Sequence, residues 1–548
     1  MKTLLDCAYD HEEQRGDRLW LTQPMGGGVL RQFTWREAVA EARRMASHLQ
    51  GLGFEPGTRI AIISKNCAWW FMADLAIWMA GHVSVPIYPT LTADSVGAIL
   101  AHSGARLAFV GKLDQFEEIA PGIPGSVGQI GFPVSPPGLE VTWDDVVRRS
   151  PPVAGRPSRN PDELVTIMYT SGSTGAPKGV MHSFRTMDHS RAIIDLAAIT
   201  PDERFISYLP LAHVAERALL EATTIIVGYP VWFVESLQTF VADVQRARPT
   251  VFGSVPRLWM QFQAGVHAKV APERLQRLLR IPLVRQLVRR KILRGLGLDQ
   301  ARVCFYGSAP SPVDLIEWYR ALGLELVEIY GMTEGWAYSH MGRVESLRRG
   351  WVGPTVPGVE HRLTDEGEVL VRTPGRMLGY YEAPDLTAEM IDAEGWLHTG
   401  DRGEIDEAGR LRITGRVKDL FKTSKGKYVA PAPIENRLLA HPHVEQACVT
   451  GEAMPQPCAI VVLNERARAA ATAEPDAVRV SLESLLAEVN ARVDAHERLH
   501  TIVVDSATWT VENGLLTPTL KLKRSAIEER YGPSLAGWYA TGERIIWG

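Results

Sequence analysis

The chain reads YTSGSTGAPKGV at residues 169–180, directly after the apolar run LVTIM at residues 164–168. A short, continuous apolar run of this kind predicts a buried β-strand. The twelve-residue string holds three glycines, four small hydroxyl residues and Lys178. Backbone amides and hydroxyls in such a loop can contact phosphate oxygens, and the lysine adds a point charge. The pattern therefore predicts a phosphate-binding loop after a strand.

This loop differs from a Walker A loop, which needs adjacent Gly and Lys followed by Ser or Thr. Here Pro177 precedes Lys178, and Gly179 follows it. A flexible turn between two strands is the alternative interpretation, and the full string favours phosphate binding over that turn.

The string resembles the phosphate loop of the adenylate-forming enzymes, which include acyl-CoA synthetases, luciferases and peptide-synthetase adenylation domains. The resemblance implies that Lys178 is a catalytic residue and that Thr170 takes part in holding a metal ion. It also implies that the loop binds ATP and AMP through Thr170, Ser171, Gly172, Ser173, Thr174 and Gly175.

Composition restricts the class of protein. The 548 residues are enough for three or four compact units at roughly 150 residues each. Hydrophobic residues make up 45% and charged residues 22%, which is typical of a soluble globular protein. The net charge of −4 gives no indication of a nucleic-acid partner.

Three features bear on location: the cysteines, the first residues of the chain and one apolar stretch. The five cysteines are scattered without a CxxC pair, which fits a reducing cytoplasm and argues against a zinc site or a disulfide framework. The first residues become charged too early for a signal peptide. The apolar stretch at residues 69–88 contains Asp74, Gly81 and His82, so it predicts a buried helix followed by a strand rather than a membrane span.

Helix and strand patterns alternate along residues 30–115. Residues 34–52 have helical spacing, with Thr34 as the N-cap and Glu37 three residues later, and residues 59–63 and 105–110 read as strands. The alternation predicts an α/β fold with mixed or mostly parallel sheets. Residues 121–159 are rich in Pro and Gly, and we interpret them as a surface excursion.

A change of composition near residues 401–427 predicts a second module. We place the boundary so that residues 1–417 form a large α/β domain and residues 418–548 form a small α+β domain. Residues 274–294 carry eight Lys/Arg and no acid, and Pro282 interrupts them. They predict a pair of surface helices with a solvated basic face; contact with an anionic membrane surface or with CoA phosphates is the alternative.

The family resemblance extends to strings on both sides of the predicted boundary. The string YGMTE at residues 330–334 follows a predicted strand at 324–329. By resemblance, Tyr330 stacks on adenine, Thr333 contacts the α-phosphate and Glu334 holds Mg²⁺. Nucleotide contacts are also implied for Gly331 and Met332, for Ser308, Ala309 and Pro310 in YGSAP, for Asp401 on the ribose, and for Arg416.

The C-terminal strings imply a moving domain. In GRVKD at residues 415–419, Lys418 corresponds to the hinge. The next string implies CoA binding by Ser424, Lys425, Gly426 and Lys427. Lys521 corresponds best to the catalytic lysine of the family, but Lys523 lies two residues away on the same predicted strand face, and the choice stays open.

Four strings resemble the long-chain fatty acyl-CoA synthetase branch. They lie at residues 65–94, 207–217, 255–259 and 422–435, and the second places His213 beside the acyl carboxylate. One departure is Trp336 just after YGMTE: a bulky side chain pointing into an acyl tunnel would shorten the preferred chain.

The resemblance implies an AMP-forming fatty acid–CoA ligase that uses ATP, Mg²⁺ and CoA. The enzyme is expected in the cytoplasm, with peripheral contact at the inner membrane face and a homodimer both left open. Three alternatives stay open: an acyl-AMP ligase that loads a carrier protein, a CoA ligase for another carboxylic acid, and a non-enzymatic nucleotide- or lipid-binding protein.

Overall fold

The structure is a computed structural model that describes residues 1–171, 177–309, 311–517 and 521–548, without the side chains of Ser171 and Ser346. The chain forms two compact units. The first comprises Met1–Ala309, Asp314–His361 and Val371–His398, and the second comprises chiefly Arg362–Leu370 and Thr399–Gly548. The second unit thus begins earlier in the chain than residue 418, because the hairpin before it is grouped with the C-terminal residues.

The strands are β1 (Leu19–Pro24), β2 (Leu30–Thr34), β3 (Arg59–Ile63), β4 (Val83–Ile87), β5 (Leu107–Val110), β6 (Gly128–Gly131), β7 (Leu164–Ser171), β8 (Pro177–Ser183), β9 (Phe205–Ser207), β10 (Val231–Phe233), β11 (Val251–Ser254), β12 (Val303–Gly307), β13 (Leu326–Tyr330), β14 (His340–Met341), β15 (Glu360–Leu363), β16 (Glu368–Arg372), β17 (Gly379–Tyr380), β18 (Leu397–Ile405), β19 (Leu411–Arg416), β20 (Phe421–Lys422), β21 (Tyr428–Val429), β22 (Val444–Thr450), β23 (Cys458–Leu463), β24 (Ile502–Asp505) and β25 (Ile545–Trp547).

The helices are α1 (Leu4–Gln14), α2 (Trp35–Gly51), α3 (Ala68–Met79), α4 (Ala93–Ser103), α5 (Phe116–Ile119), α6 (Trp143–Arg149), α7 (Phe184–Met187), α8 (Arg191–Leu196), α9 (Val214–Glu216), α10 (Ala222–Val227), α11 (Phe240–Ala247), α12 (Pro256–His267), α13 (Pro272–Arg280), α14 (Pro282–Leu296), α15 (Val313–Leu322), α16 (Pro384–Met390), α17 (Pro431–Leu439), α18 (Glu465–Ala473), α19 (Pro475–Asn490) and α20 (Arg524–Thr541). A π-helical turn, Arg217–Glu221, joins α9 to α10.

A seven-stranded sheet in the order β17-β8-β7-β4-β3-β5-β6 forms the centre of the first unit. Strands β7, β4, β3, β5 and β6 run parallel, whereas β8 runs antiparallel to both of its neighbours, β7 and β17. The first unit also holds the sheets β2-β1-β10-β9 and β11-β12-β13-β14. The prediction of an α/β fold with mixed and parallel sheets is confirmed.

Several local predictions are confirmed by the same elements. Helix α2 begins with the predicted capping box, in which Thr34 accepts from the Glu37 amide and the Glu37 carboxylate accepts from the Thr34 amide. The stretch at residues 69–88 is the buried helix α3 followed by β4. In the described part of the chain, every helix falls short of the length or the apolarity that crossing a bilayer requires.

The interpretation of residues 121–159 as a surface excursion is wrong for β6 and α6. Strand β6 lies at the edge of the central sheet, paired with β5, and α6 buries Trp143 completely. The Trp143 indole also donates a hydrogen bond to Glu41 at 2.8 Å. The sequence hides β6 because two of its four residues are glycines, which carry no side-chain pattern.

The second unit has its own core beneath the sheet β22-β23-β24-β25. Helices α17 and α19 contribute buried apolar residues to that core, among them Ile434, Leu438, Leu482 and Leu486. Before this sheet, β18 and β19 form an antiparallel hairpin that pairs Asp401 with Arg416. An α+β architecture for the C-terminal part follows from these elements.

Candidate active site

The hairpin β7–β8 positions the first of the predicted site residues. Thr170 and Lys178 are paired across the two antiparallel strands. Gly172, Ser173, Thr174 and Gly175 lie outside the described residues, as does Pro310, and only the backbone is described for Ser171. The described part of the hairpin therefore fixes Thr170 and Lys178 at the end of the central sheet.

A tyrosine that the sequence analysis did not single out links Lys178 to Glu334. The Tyr380 hydroxyl donates to Glu334 Oε1 at 2.7 Å, and Lys178 Nζ lies 5.3 Å from the centre of the Tyr380 ring. Burial and the Glu334 charge both raise the pKa of Tyr380, so the hydroxyl stays protonated and keeps its role as donor. The cation, ring and carboxylate form a continuous series in the first unit.

Glu334 is buried and has one carboxylate oxygen without a partner among the described residues, as a carboxylate ligand of Mg²⁺ would. Its side chain is mostly buried, and within the described residues Oε2 has neither a hydrogen-bond nor an ion-pair partner. The described residues contain no group of three His, Cys, Asp or Glu arranged to hold a metal. Mg²⁺ commonly takes one carboxylate together with phosphate oxygens and water, so the isolated Glu334 fits that ion.

The turn after β13, which carries Thr333 and Glu334, ends in a strained backbone at Trp336 and Ala337. Trp336 and Ala337 adopt φ values of 54° and 76°, in the left-handed region that side chains disfavour. A Cβ on Gly331 would lie 2.2 Å from the Ala337 carbonyl oxygen, so only glycine fits there. Strain of this kind concentrates at functional sites and is kept where the surroundings enforce it.

His182 on β8 forms a hydrogen bond to the same turn. Its Nε2 atom lies 2.9 Å from the Thr333 carbonyl oxygen. Because a carbonyl only accepts, Nε2 carries the proton. Burial lowers the pKa of His182 to about 3, so the ring is neutral. The hydrogen bond therefore joins the hairpin β7–β8 to the Thr333 backbone without adding charge.

Trp336 is completely buried and fixed in place. Its indole donates to Ser190 Oγ at 2.9 Å, and its ring packs against His182 with centroids 4.9 Å apart. These contacts hold the Trp336 side chain in one position. Its predicted effect on acyl chain length stays a prediction.

Tyr330 lies at the end of β13, half-buried, with its ring 5.9 Å from that of His340. His340 Nε2 lies 2.8 Å from His361 Nδ1. Burial lowers the pKa of His340 to about 3, and the neighbouring His361 adds to that effect. Two neutral histidines therefore stand behind the predicted adenine-stacking residue.

The turn after β12 presents Ser308 and Ala309 to solvent. Ser308 has a φ of 69°, a left-handed conformation that is unusual for a residue with a side chain. At the preceding strand, the Tyr306 hydroxyl donates to Glu328 at 2.8 Å, and burial raises the pKa of Glu328 to about 7. The predicted nucleotide contacts at 308 and 309 are thus accessible, and they follow a buried polar pair.

His213 precedes the short helix α9 and caps it. Its Nδ1 accepts from the Ala215 amide at 3.1 Å, so in the neutral ring the proton lies on Nε2. Behind it, Arg217 is completely buried between Asp74 at 3.0 Å and Glu221 at 3.4 Å. This charged cluster anchors the segment that carries His213.

In the second unit, three predicted residues come together. Arg416 and Asp401 form an ion pair at 3.1 Å across β18 and β19. Part of the Lys521 side chain stays exposed, yet the surrounding protein lowers its pKa, and the Arg416 charge lowers it further, whereas Asp401 acts in the opposite sense. The Lys521 backbone is held by Thr517 through hydrogen bonds of 2.7 and 3.0 Å.

The four predicted CoA-binding residues form the exposed tip of the hairpin β20–β21. Gly426 has a φ of +74°, and its amide donates to the Thr423 carbonyl at 2.9 Å. Phe421 and Val429 at the hairpin base are buried in the core of the second unit. Ser424, Lys425, Gly426 and Lys427 are therefore exposed on a well-anchored turn.

Lys418, the predicted hinge, is exposed, and Arg524 holds the residue after it. Arg524 Nε lies 3.6 Å from Asp419, and Nη2 lies 2.6 Å from Glu435. Arg524 Nη1 also donates to the Val449 carbonyl at 2.8 Å. The sequence analysis missed this arginine, although it stands only three residues after Lys521 in the same basic string.

Comparison with known proteins identifies the class. Residues 10–381 match the AMP-binding enzyme family, and residues 418–543 match the AMP-binding enzyme C-terminal domain. The chain belongs to the AMP-binding enzyme family.

Its relatives narrow the resemblance. The chain is 30% identical to long-chain-fatty-acid–CoA ligase FadD15 of Mycobacterium tuberculosis, covering 97% of this chain and 96% of that protein. It is 31% identical to the peroxisomal long chain acyl-CoA synthetase 6 of Arabidopsis thaliana, over 93% and 82% of the two chains. Among solved structures, the adenylation domain of a carboxylic acid reductase from Segniliparus rugosus, in complex with AMP and a co-purified carboxylic acid, superposes with a TM-score of 0.81 at 23% identity, over 98% and 94% of the chains.

Proposed function

We propose that the protein is an AMP-forming long-chain fatty acid–CoA ligase. The observation that supports this chemistry best is the series Lys178–Tyr380–Glu334 beside the strained turn that carries Thr333. A cation and a buried carboxylate, joined through one tyrosine, suit a reaction in which charge develops between two anions. The names of the relatives, matched over nearly their full lengths, supply the substrate class.

In the proposed first half-reaction, the fatty-acid carboxylate attacks the α-phosphorus of ATP, and pyrophosphate leaves. The work is positioning and charge neutralisation, since both reactants are anions. Lys178 and the loop at residues 170–175 hold the phosphates, Thr333 holds the α-phosphate, and Lys521 neutralises the attacking oxygen. Desolvation and the Arg416 charge lower the pKa of Lys521, and an anionic oxygen beside its ammonium group would favour the charged form.

Further groups orient the substrates. Tyr330 stacks on adenine, with Ser308, Ala309, Pro310, Gly331 and Met332 around the nucleotide. Asp401 accepts from the ribose hydroxyls, and Arg416 contacts the ribose or phosphate. The Nε2–H of His213 orients the acyl carboxylate by donating a hydrogen bond to it.

Glu334, with Thr170, is the proposed holder of Mg²⁺, which when bound neutralises phosphate charge during the transfer. The unpartnered Oε2 of Glu334 supports this assignment. The Tyr380 hydroxyl orients the carboxylate by occupying Oε1.

In the proposed second half-reaction, the domain at residues 418–548 pivots about Lys418 relative to residues 1–417. Lys521 leaves, and the hairpin tip at residues 424–427 brings in CoA. The CoA thiol then attacks the acyl carbon, a C–S bond forms and AMP leaves. The exposed tip with Lys425 and Lys427 supports CoA over a carrier protein as the acceptor.

We place the protein in the cytoplasm, because all five cysteines are unpaired thiols in the structure. A peripheral membrane contact extends this proposal and has its own evidence below. Whether the protein forms a homodimer is measured by sedimentation velocity in the next subsection.

The test is AMP formation from ATP, Mg²⁺ and fatty acids from hexanoate to octadecanoate, with and without CoA. AMP release that needs both CoA and a long chain supports the proposal. Lys521→Ala should abolish adenylation and leave thioester formation from supplied acyl-AMP intact, whereas Lys523→Ala should retain both steps. Tightly bound acyl-AMP that forms whether or not CoA is present would instead indicate a carrier-loading enzyme.

A further inference from the structure

Helices α13 and α14 present an unusual combination of exposed leucines and cations. Leu283 is 85% exposed and Leu287 is 72% exposed, values that place them among the most exposed large apolar side chains of the chain. Ile281, at the junction of the two helices, is 49% exposed. Single exposed apolar residues are ordinary, but a run of three at one helix start requires an explanation.

The leucines and the cations share one face of α14. With 3.6 residues per turn, positions 283, 287, 290, 291 and 294 fall within about 100° of each other. All five side chains are exposed. The opposite face packs inward, since Leu296 is buried and Ile292 and Leu293 contact the core of the first unit. Helix α14 therefore has one face packed on the core of the first unit and one face exposed to solvent. The exposed face is apolar near the start of the helix and basic near its end.

The charge of this surface is largely uncompensated. Residues 274–294 contain eight Lys/Arg and no acid, in a chain whose net charge is −4. Within the described residues, the recorded ion pair for these cations is that of Arg294 with Asp299 at 4.0 Å. A basic face of this kind repels other cations and attracts extended anionic surfaces.

We propose that the outer face of α13–α14 docks on an anionic lipid surface. The basic side chains would lie at the headgroups, where each cation adds to the attraction, and Ile281, Leu283 and Leu287 would enter the boundary with the acyl chains. A free phosphate or CoA would use the cations and leave the leucines in water, so the exposed leucines favour a bilayer. This goes beyond the proposed reaction and needs none of its catalytic residues.

The experiment is co-sedimentation of the full chain with two kinds of vesicle, one of phosphatidylcholine and one half phosphatidylglycerol. We expect at least about tenfold tighter binding to the anionic vesicles, weakened by added salt. Two variants should each reduce that binding about tenfold or more: Leu283→Ser/Leu287→Ser and Arg290→Gln/Lys291→Gln/Arg294→Gln.

Matched controls remove equal numbers of apolar and cationic side chains elsewhere on the exposed surface. They are Leu237→Ser/Val480→Ser and Arg149→Gln/Arg466→Gln/Arg498→Gln. These controls should bind like the unchanged chain. AMP formation without vesicles shows that every variant is folded, and it tests the proposed function separately.

Three outcomes overturn the proposal. The first is equal binding to both vesicle types. The second is loss of binding in the matched controls as large as in the α14 variants. The third is a dimer in sedimentation velocity that Leu283→Ser/Leu287→Ser dissociates, because the face would then be an interface between two copies of the chain.

Discussion

Tyr380 contacts Glu334 through its hydroxyl and Lys178 through its ring. The substitution Tyr380→Phe separates these two contacts. The change removes the hydroxyl that donates to Glu334 and keeps the ring beneath Lys178. A hydrogen bond to a charged group contributes about 1.5–3 kcal/mol, so adenylation should fall roughly 10- to 100-fold. Half-saturation by Mg²⁺ should also move to higher concentration, measured by ATP–pyrophosphate exchange across a Mg²⁺ series.

Tyr381→Phe is the matched control, because the neighbouring ring packs near His102 rather than at Glu334. It should leave the Mg²⁺ dependence unchanged. If Tyr380→Phe changed neither the rate nor the Mg²⁺ dependence, the hydroxyl would have no part in orienting Glu334.

Arg524 is the second residue whose role comes from contacts rather than from a motif. Glu435 is buried beneath it, and the loss of solvent raises the pKa of that carboxyl despite the guanidinium. Arg524→Gln should leave the buried carboxyl without its cation and destabilise the second unit by about 3–5 kcal/mol. Hydrogen exchange followed by mass spectrometry should show faster exchange in α17 and β22, where the Val449 amide donates to Glu435.

The adjacent exposed Lys523 supplies the comparison. Lys523→Gln should change the stability by no more than about 0.5 kcal/mol, as surface substitutions usually do. Equal exchange rates for the two variants would show that Arg524 does not hold α17 and Asp419 together.

Motif residues were predictable from the sequence because each stands in a contiguous string. Lys178 lies in YTSGSTGAPKGV and Glu334 in YGMTE, so a short window identifies each. His182 and Tyr380 have no such window. The His182–Thr333 hydrogen bond joins residues 151 positions apart, and Tyr380 reaches Glu334 only because β17 pairs with β8. Such contacts follow from tertiary pairing, which local patterns do not encode.

At the scale of the element, two glycines in and near the turn after β13 test whether the turn depends on close backbone packing. A Cβ at Gly331 would lie 2.2 Å from backbone, whereas a Cβ at Gly335 would meet its nearest neighbour at 3.6 Å. Gly331→Ala should therefore displace the turn, at a cost of about 1–3 kcal/mol, and reduce adenylation strongly. Gly335→Ala should fold and adenylate nearly normally. ATP–pyrophosphate exchange and thermal unfolding of both variants measure the difference, and similar losses would contradict it.

Elements with strong periodicity or caps were predictable, and weakly patterned ones were not. Helix α2 carries a capping box, and α3 is a long apolar run, so both are visible in sequence. Strand β6 has neither signal, because its place is set by pairing with β5. The grouping of β18 with the second unit likewise depends on its pairing with β19 and is not visible in a composition change near residue 416.

At the scale of the whole molecule, buried neutral histidines connect stability to pH. Burial lowers the pKa of His182 and of His340 to about 3, and that of His441 to about 4. In the unfolded chain a histidine binds its proton near pH 6.5. Between those values the unfolded state holds more protons, so each such histidine makes the folded state less stable as the pH falls.

Buried acids act with the opposite sign and must be separated from this effect. Burial raises the pKa of Glu328 to about 7, so it holds a proton in the folded state that the unfolded chain releases above about pH 4.5. Its contribution therefore decreases stability as the pH rises. Because both groups titrate in the same window, a histidine contribution is visible only in the difference between two variants measured at each pH.

His182→Gln isolates one histidine. The amide group can still donate to the Thr333 carbonyl, but it does not titrate. Unfolding in urea at several pH values should show the unchanged chain losing stability relative to His182→Gln by about 1.4 kcal/mol per pH unit from pH 6 to pH 4.5. Lys523→Gln, a substitution at an exposed position in the second unit, should give a constant difference. A constant difference for His182→Gln as well would mean that His182 is protonated in the folded state, and the neutral hydrogen bond to the Thr333 turn would then be wrong.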